Sequence, residues 1–290
     1  MGSECVLHLY DADAEIARIA EDEIERIEQR YSRFRTDSEL SQINRIAAEG
    51  GSTTVDNETA ALLDYAFACH RKSEGLFDIT TGVLRKAWRF SENRAPGAAE
   101  IERLMVFVGM EKVQWNRPRL SFPNSGVELD FGGICKEYAA DCVASVCQNA
   151  GVTSGLVDLG GDIRAIGPQP DGSPWSIQIR DPQNTKRSIA RVELAKGGLA
   201  SSGDYERFIA EGGRRYSHIL DPRSGWPVQG LSAASVAADT CLFAGSISTI
   251  AMLMGSKGPA WLAKTGLAHF WAYPNGETGA SRSFFLDKAH

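Results

Sequence analysis

From Lys112 to its end the chain consists mostly of short strand-forming runs parted by Gly, Pro and Asp turns, and this texture constrains the fold most. The runs are Val113–Trp115, Arg119–Phe122, Val127–Leu129, Leu156–Ile166, Trp175–Ile179, Ile189–Leu194, Tyr205–Ile209, Arg214–Leu220, Ser232–Ala237, Ala268–Tyr273 and Ser281–Leu286. They follow one another through short turns instead of alternating strictly with helices, which predicts an α+β fold with antiparallel sheets. The N-terminal part differs. After a strand at Cys5–Tyr10, Ile16, Ile19, Ile24 and Ile27 recur at mostly helical spacing among charges, so Ala14–Tyr31 reads as an amphipathic helix. Asp37 or Ser38 caps a second helix through Asn44, Ala60–Ser73 forms a third that ends at Gly75, and Glu100–Val108 is a fourth. Tyr138–Ala150 and Thr240–Met254 complete the helices, with no repeat or linker visible over residues 1–290. A single domain, or two intertwined lobes, accommodates this length.

The net charge of −6 argues against a nucleic-acid partner, which demands clustered Lys and Arg. It leaves room for an anionic cofactor in a locally positive pocket. No apolar stretch is long enough to span a bilayer, and no signal peptide is visible, which suggests the cytoplasm, or the periplasm if a leader was removed. The six cysteines form no CxxC pair or zinc spacing and read as buried reduced thiols.

Four Gly- and Asp-rich segments carry the chemistry. They are Gly75–Gly82 (GLFDITTG), Leu129–Lys136 (LDFGGICK), Val157–Asp162 (VDLGGD) and Ser201–Tyr205 (SSGDY), the last followed by Tyr216–Gly225 (YSHILDPRSG). Asp130-Phe-Gly-Gly before a helix suits a diphosphate, because glycines admit close backbone approach and a helix start favours negative charge. Lys136 in the first turn would add a cation. For any one such segment taken alone, a glycine turn that merely joins strand to helix is the favoured reading. GxGxxG is absent, so a Rossmann dinucleotide site is not supported. His218 lies near a predicted strand end beside two such turns. A Ser202–His218 hydrolase arrangement lacks the Gly-x-Ser-x-Gly elbow. Phe34, Phe77, Trp88 and Trp226 are either core or platforms for a flavin or adenine ring.

Taken in order, these segments resemble the FAD:protein FMN transferase (ApbE) family. The resemblance runs through Met1-Gly2-Ser3, Phe34–Glu39 with Asn44, Phe77–Gly82, Asp130–Lys136, Gly160–Asp162, Ser202–Tyr205, His218–Gly225 and the helix Ala238–Met254. It implies a T-fold-like α+β architecture and FAD bound by Met1, Phe34, Leu76, Phe77, Asp78, Asp130, Lys136 and Leu220. It also implies His218 as catalytic base, with Mg²⁺ held by the Gly133 carbonyl and Thr249. The implied reaction moves FMN from FAD to a Ser or Thr hydroxyl of a partner flavoprotein and releases AMP. The chain departs from the pattern at two positions. The Asp that should join Thr249 as metal ligand is Gly245, and Glu137 stands where the family often has Gly. The loss suggests weakened metal binding, a metal held mainly by the diphosphate, or an engineered change. The competing functions are an FAD-binding protein with little turnover and a metal-dependent FAD pyrophosphatase. Asp239 reads as a cap of the last long helix, and Gly245→Asp is expected to restore a missing ligand, unless the glycine makes room for a larger group such as a partner side chain, in which case Asp would hinder.

Overall fold

The computed structural model describes residues 4–286. Among them the α-helices are α1 (Ala14–Tyr31), α2 (Glu39–Glu49), α3 (Asn57–Lys72), α4 (Ala98–Met105), α5 (Cys135–Asn149), α6 (Cys241–Leu253) and α7 (Gly258–Thr265). The described residues divide into two compact units. One is formed by the chain up to Glu28, by Gly132–Tyr205 and by the chain from Gln229 onward; the other by Gln29–Phe131 and Glu206–Val228.

The first unit holds a seven-stranded sheet in which every neighbouring pair is antiparallel. Its order is Cys5–Leu9, Gly155–Leu159, Asp162–Gly167, Gly197–Gly203, Ala233–Ala238, Ala268–Ala272 and Thr278–Ala280. α5 packs on the second and third of these strands, α6 on the fourth and fifth, and the two helices touch. α6 is buried nearly all round, and its Ala, Gly and Ser residues keep it thin enough to lie against the sheet. At its start the strand backbone comes so close that a Cβ on Gly198 would lie 2.3 Å from the Cys241 nitrogen. A second sheet of Trp175–Asp181, Asn184–Leu194 and Phe284–Leu286 shares a core with the first. There Ala190, Val192 and Leu194 are buried with Leu156, Ile163, Leu199 and Phe270, while Arg191 and Glu193 between them are exposed, the period-2 pattern of a strand.

The second unit carries α2, α3, α4 and an eight-residue 3₁₀ helix at Ile79–Lys86. It also has a small sheet ordered Ser52–Thr54, Arg119–Ser121, Gln114–Asn116, and a hairpin of Phe208–Glu211 with Arg214–Ser217. Its core gathers Val83, Leu84, Trp88, Ile101, Val108 and Ile209, with Leu220 and Trp226 packed against them.

Several expectations need correction. Leu156–Ile166 is a hairpin, not one strand: Leu159 pairs with Asp162, and Gly160 and Gly161 take positive φ (67° and 91°) in the turn. Val127–Leu129 forms no strand. The Leu129 main chain is satisfied by the Asn44 amide, which donates to its carbonyl (2.9 Å) and accepts from its N–H (2.8 Å). Asp239 does not cap α6. The N-cap is Thr240, whose hydroxyl accepts from Phe243 N–H, and Asp141 of α5 accepts the Cys241 and Leu242 N–H groups (both 2.9 Å). α2 runs on to Glu49, and Ser38, not Asp37, caps it. All six cysteines are free, but only Cys69, Cys147 and Cys241 are buried; Cys135 and Cys142 are partly exposed and Cys5 is exposed.

Candidate active site

In the second unit the segment after α3 is held by its own polar groups. The Asp78 carboxylate accepts from Thr80 N–H (2.7 Å) and Thr80 hydroxyl (2.6 Å) through one oxygen and from Met110 N–H (3.2 Å) through the other. It therefore caps the 3₁₀ helix, and its side chain is 3% exposed. Phe77 donates its N–H to the Ser73 hydroxyl (2.8 Å), its carbonyl accepts from His70 (3.1 Å), and Leu76 and Phe77 are buried. Close below, a Cβ on Gly82 would lie 2.9 Å from the Glu128 carbonyl, so the chain entering Asp130 lies tight against this loop. Asp130 N–H donates to the Ile79 carbonyl (2.8 Å), which ties the two segments together.

Phe34 is different: it is 75% exposed, the most open large apolar side chain among the described residues. The Arg33 guanidinium lies over its ring, 4.9 Å from the centroid, and also pairs with the Asp130 carboxylate. Arg33, which the sequence motifs did not single out, thus joins two of the expected cofactor residues. Its neighbour Phe34 was the available signal. Trp88 is buried in the core and is no platform; Trp226, partly buried, meets it edge to face (5.5 Å), and Trp88 donates to the Gly225 carbonyl (2.8 Å).

That bond pins the turn after His218. Gly225 takes φ +71°, and a Cβ there would lie 2.5 Å from Ile101, so the turn requires glycine. Leu220 bridges to Pro227 across it. His218 is exposed just past the hairpin strand, and its Nδ1 lies 3.2 Å from the Arg207 carbonyl. A carbonyl only accepts, so Nδ1 carries a proton, and in the neutral ring the lone pair is on Nε2, the arrangement a general base needs.

In the first unit the glycines at 132 and 133 form the turn into α5. Lys136 in that first turn pairs with Asp162 (2.7 Å) and donates to the Gly160 carbonyl (3.3 Å). The Asp158 carboxylate accepts from Gly161 N–H (2.7 Å), so the Val157–Asp162 segment shapes a turn that presents Asp162 to Lys136. Ser202 and Thr249 are brought together: the Ser202 hydroxyl lies 3.1 Å from that of Thr249 and 2.8 Å from that of Ser248. These bonds occupy Ser202. Met1 lies outside the described residues.

At Gly245 the structure holds something the motif comparison did not anticipate. A Cβ on Gly245 would lie 2.5 Å from Glu137 Cγ and 2.6 Å from Glu137 Oε1. The missing side chain has its place taken by a carboxylate from α5. Glu137 is 6% exposed, and its Oε2 has no hydrogen-bond partner among the described residues. Burial, with the Asp162 charge adding to it and Lys136 opposing, pushes its pKa up to about 8. Burial likewise raises Asp162, against the pull of Lys136. Thus two buried carboxylates share one ammonium group, which its 2.7 Å contact assigns to Asp162. The expectation that Gly245→Asp fills an empty place is overturned: the place is full.

Comparison with known proteins decides the family. The ApbE family profile matches residues 1–271. The chain belongs to the ApbE family. It is 30% identical to the FAD:protein FMN transferase of Vibrio cholerae over 240 residues, 81% of this chain and 72% of that protein. With the FAD:protein FMN transferase of Klebsiella pneumoniae it shares 31% identity over 233 residues, 79% and 72% of the two chains. Among solved structures, the ApbE protein of Thermotoga maritima superposes with a TM-score of 0.87 at 31% identity, covering 97% of this chain and 94% of that one. The Pseudomonas stutzeri flavinyl transferase ApbE, in its apo form, gives 0.85 at 30% identity, over 98% and 92%.

Among the described residues no three His, Cys, Asp or Glu side chains converge as a metal site. A hard cation that also binds phosphate oxygens needs fewer, since one or two carboxylates suffice. The unpartnered Glu137 oxygen, next to a helix face carrying Thr249 one turn beyond Gly245, fits such a cation. No described helix is long and apolar enough to cross a membrane.

Proposed function

We propose that this chain is an FAD:protein FMN transferase acting on a Ser or Thr hydroxyl of a partner flavoprotein. The relatives carry the reading: each protein described above as a named transferase shares 30–31% identity over more than three quarters of this chain. Phe34, with Arg33 behind it, is suited to stacking on a planar ring of FAD. Leu76, Phe77 and Leu220 bring apolar surface and main chain, and Asp78 keeps that loop in shape. Asp130 orients Arg33, and Lys136 adds positive charge at the start of α5.

In the reaction the acceptor hydroxyl oxygen attacks the FMN phosphorus, and the bond from that phosphorus to the bridging oxygen breaks. AMP leaves with the bridging oxygen. His218 Nε2 receives the hydroxyl proton, while the Arg207 carbonyl holds the ring through Nδ1–H. Mg²⁺, where bound with the Gly133 carbonyl and Thr249, would offset charge on the diphosphate.

The test is incubation with FAD, Mg²⁺ and a threonine-bearing acceptor peptide, read by mass spectrometry. FMN-peptide and AMP are expected. Free FMN with AMP would instead mean that water is the acceptor and the protein a pyrophosphatase, and unchanged FAD would mean a binding protein.

A further inference from the structure

We propose that Glu137 has exchanged places with residue 245: reaching across from α5, it supplies this chain's carboxylate for a divalent cation above the bare α6 backbone. The inference deepens the transferase reading and rests on it for the presence of the cation. Three observations carry it. First, the Glu137 side chain fills the volume that any residue larger than glycine at position 245 would enter, at 2.5–2.6 Å from its Cβ. Second, Glu137 is buried with an oxygen that no described residue bonds. A buried carboxylate left in that state costs free energy unless a cation or proton reaches it. Third, the nearby ammonium group does not bond Glu137: Lys136 sits 2.7 Å from Asp162 and also donates to the Gly160 carbonyl.

The two departures from the family pattern then become one. Glycine at 245 and glutamate at 137 are a coupled pair: either change alone removes the carboxylate or overcrowds the site, and both together keep it. The longer glutamate side chain suits the exchange, since it starts on a different helix and must span to the face that presents Thr249. A cation there would meet the Glu137 oxygen and the Thr249 hydroxyl on the same side of α6, with substrate phosphates completing its oxygen ligands.

The test is a Mn²⁺ titration by electron paramagnetic resonance on the full chain, with and without FAD and without acceptor. Four proteins are compared: the parent, Glu137→Gln, Gly245→Asp, and the double variant Glu137→Gly/Gly245→Asp, each checked for folding by circular dichroism. The expected result is at least tenfold weaker Mn²⁺ binding in Glu137→Gln, and in Gly245→Asp either weaker binding or loss of folding. The double variant should return to within a fewfold of the parent. Parent-like Mn²⁺ affinity in Glu137→Gln, no Mn²⁺ binding by the parent, or no recovery in a folded double variant overturns the proposal. Glu137→Gln is isosteric, so it keeps the test decisive if the double variant does not fold. Failure of the transferase reading registers separately, as absence of FAD binding or of FMN-peptide with Mn²⁺ binding unchanged.

Discussion

His218 shows how a single hydrogen bond converts a common side chain into a candidate base. The Arg207 carbonyl accepts a hydrogen bond from Nδ1–H at 3.2 Å, which in the neutral ring leaves the lone pair on Nε2. Replacing His218 with Ala removes the proton acceptor but none of the residues expected to hold FAD. FMN transfer should therefore fall by roughly 10²- to 10⁴-fold, with FAD affinity changed less than about threefold. Calorimetry with FAD beside a single-turnover transfer assay separates the two effects, and normal transfer by His218→Ala would remove the residue from the mechanism. Phe34 should behave in the opposite way. Phe34→Ala deletes a largely exposed ring that lies against the Arg33 guanidinium, so it should weaken FAD binding about tenfold with little change in melting temperature. The sequence pointed to His218, Phe34 and Asp130 because each stands in an uncommon local pattern. It did not point to Arg33, whose value comes from reaching Asp130, 97 residues further along the chain. Glu137 read as a lesser change for the same reason: its relation to Gly245 exists only after α5 and α6 have packed.

At the level of elements, helix termini explain much of what the pattern of apolar residues located. α1 was legible to the residue, since its apolar spacing and the Asp13 carboxylate, which accepts from Glu15 and Ile16 N–H, both lie within local sequence. The strand Gly197–Gly203 was not, because its glycines, alanine and serines have poor strand propensity and are explained by the closeness of α6. At the end of α1, Arg30 bonds Glu39, Asp56 and Glu58 at 2.6–2.7 Å and so joins α1 to the starts of α2 and α3. Asp56 also caps α3 by accepting from Thr59 N–H (2.9 Å). Partial burial raises its pKa, but the Thr59 N–H and the Arg30 guanidinium outweigh this and hold Asp56 below its ordinary value of 3.8. A depressed carboxyl pKa contributes stability above the unfolded value, and that stability is lost as pH falls through the folded value. Asp56→Asn keeps a capping oxygen and loses the charge. It should cost about 1 kcal/mol or less at pH 7, since the Asp56 side chain is half exposed. The gap between the two proteins should close as the pH drops below 3.8. Urea melts across that range would show a constant gap if the charge were irrelevant.

The whole molecule sets a different limit on what sequence alone reveals. The α+β class followed from strands meeting through short turns, yet the sheet order did not. The seven-stranded sheet takes its edge from Cys5–Leu9, its middle from Gly155 to Gly203 and its other half from Ala233 onward, so most register is fixed by long-range pairing. Charge acts at this scale too. A chain with net charge −6 has no general attraction for a dinucleotide, so selective binding must come from particular contacts. If adenine and both phosphates are among them, FAD must bind more tightly than FMN, which lacks the adenylate half. That difference is measurable as stability. Ligand at about 100 times its dissociation constant adds about 2.7 kcal/mol to the free energy of unfolding. For a chain of this size this is a rise of roughly 5 °C in melting temperature. FAD at such a concentration should give that shift, and FMN at the same concentration a clearly smaller one. Equal shifts would mean that the adenylate half makes no net contribution, and the assignment of Lys136 and the α5 start to the diphosphate would then have no energetic basis.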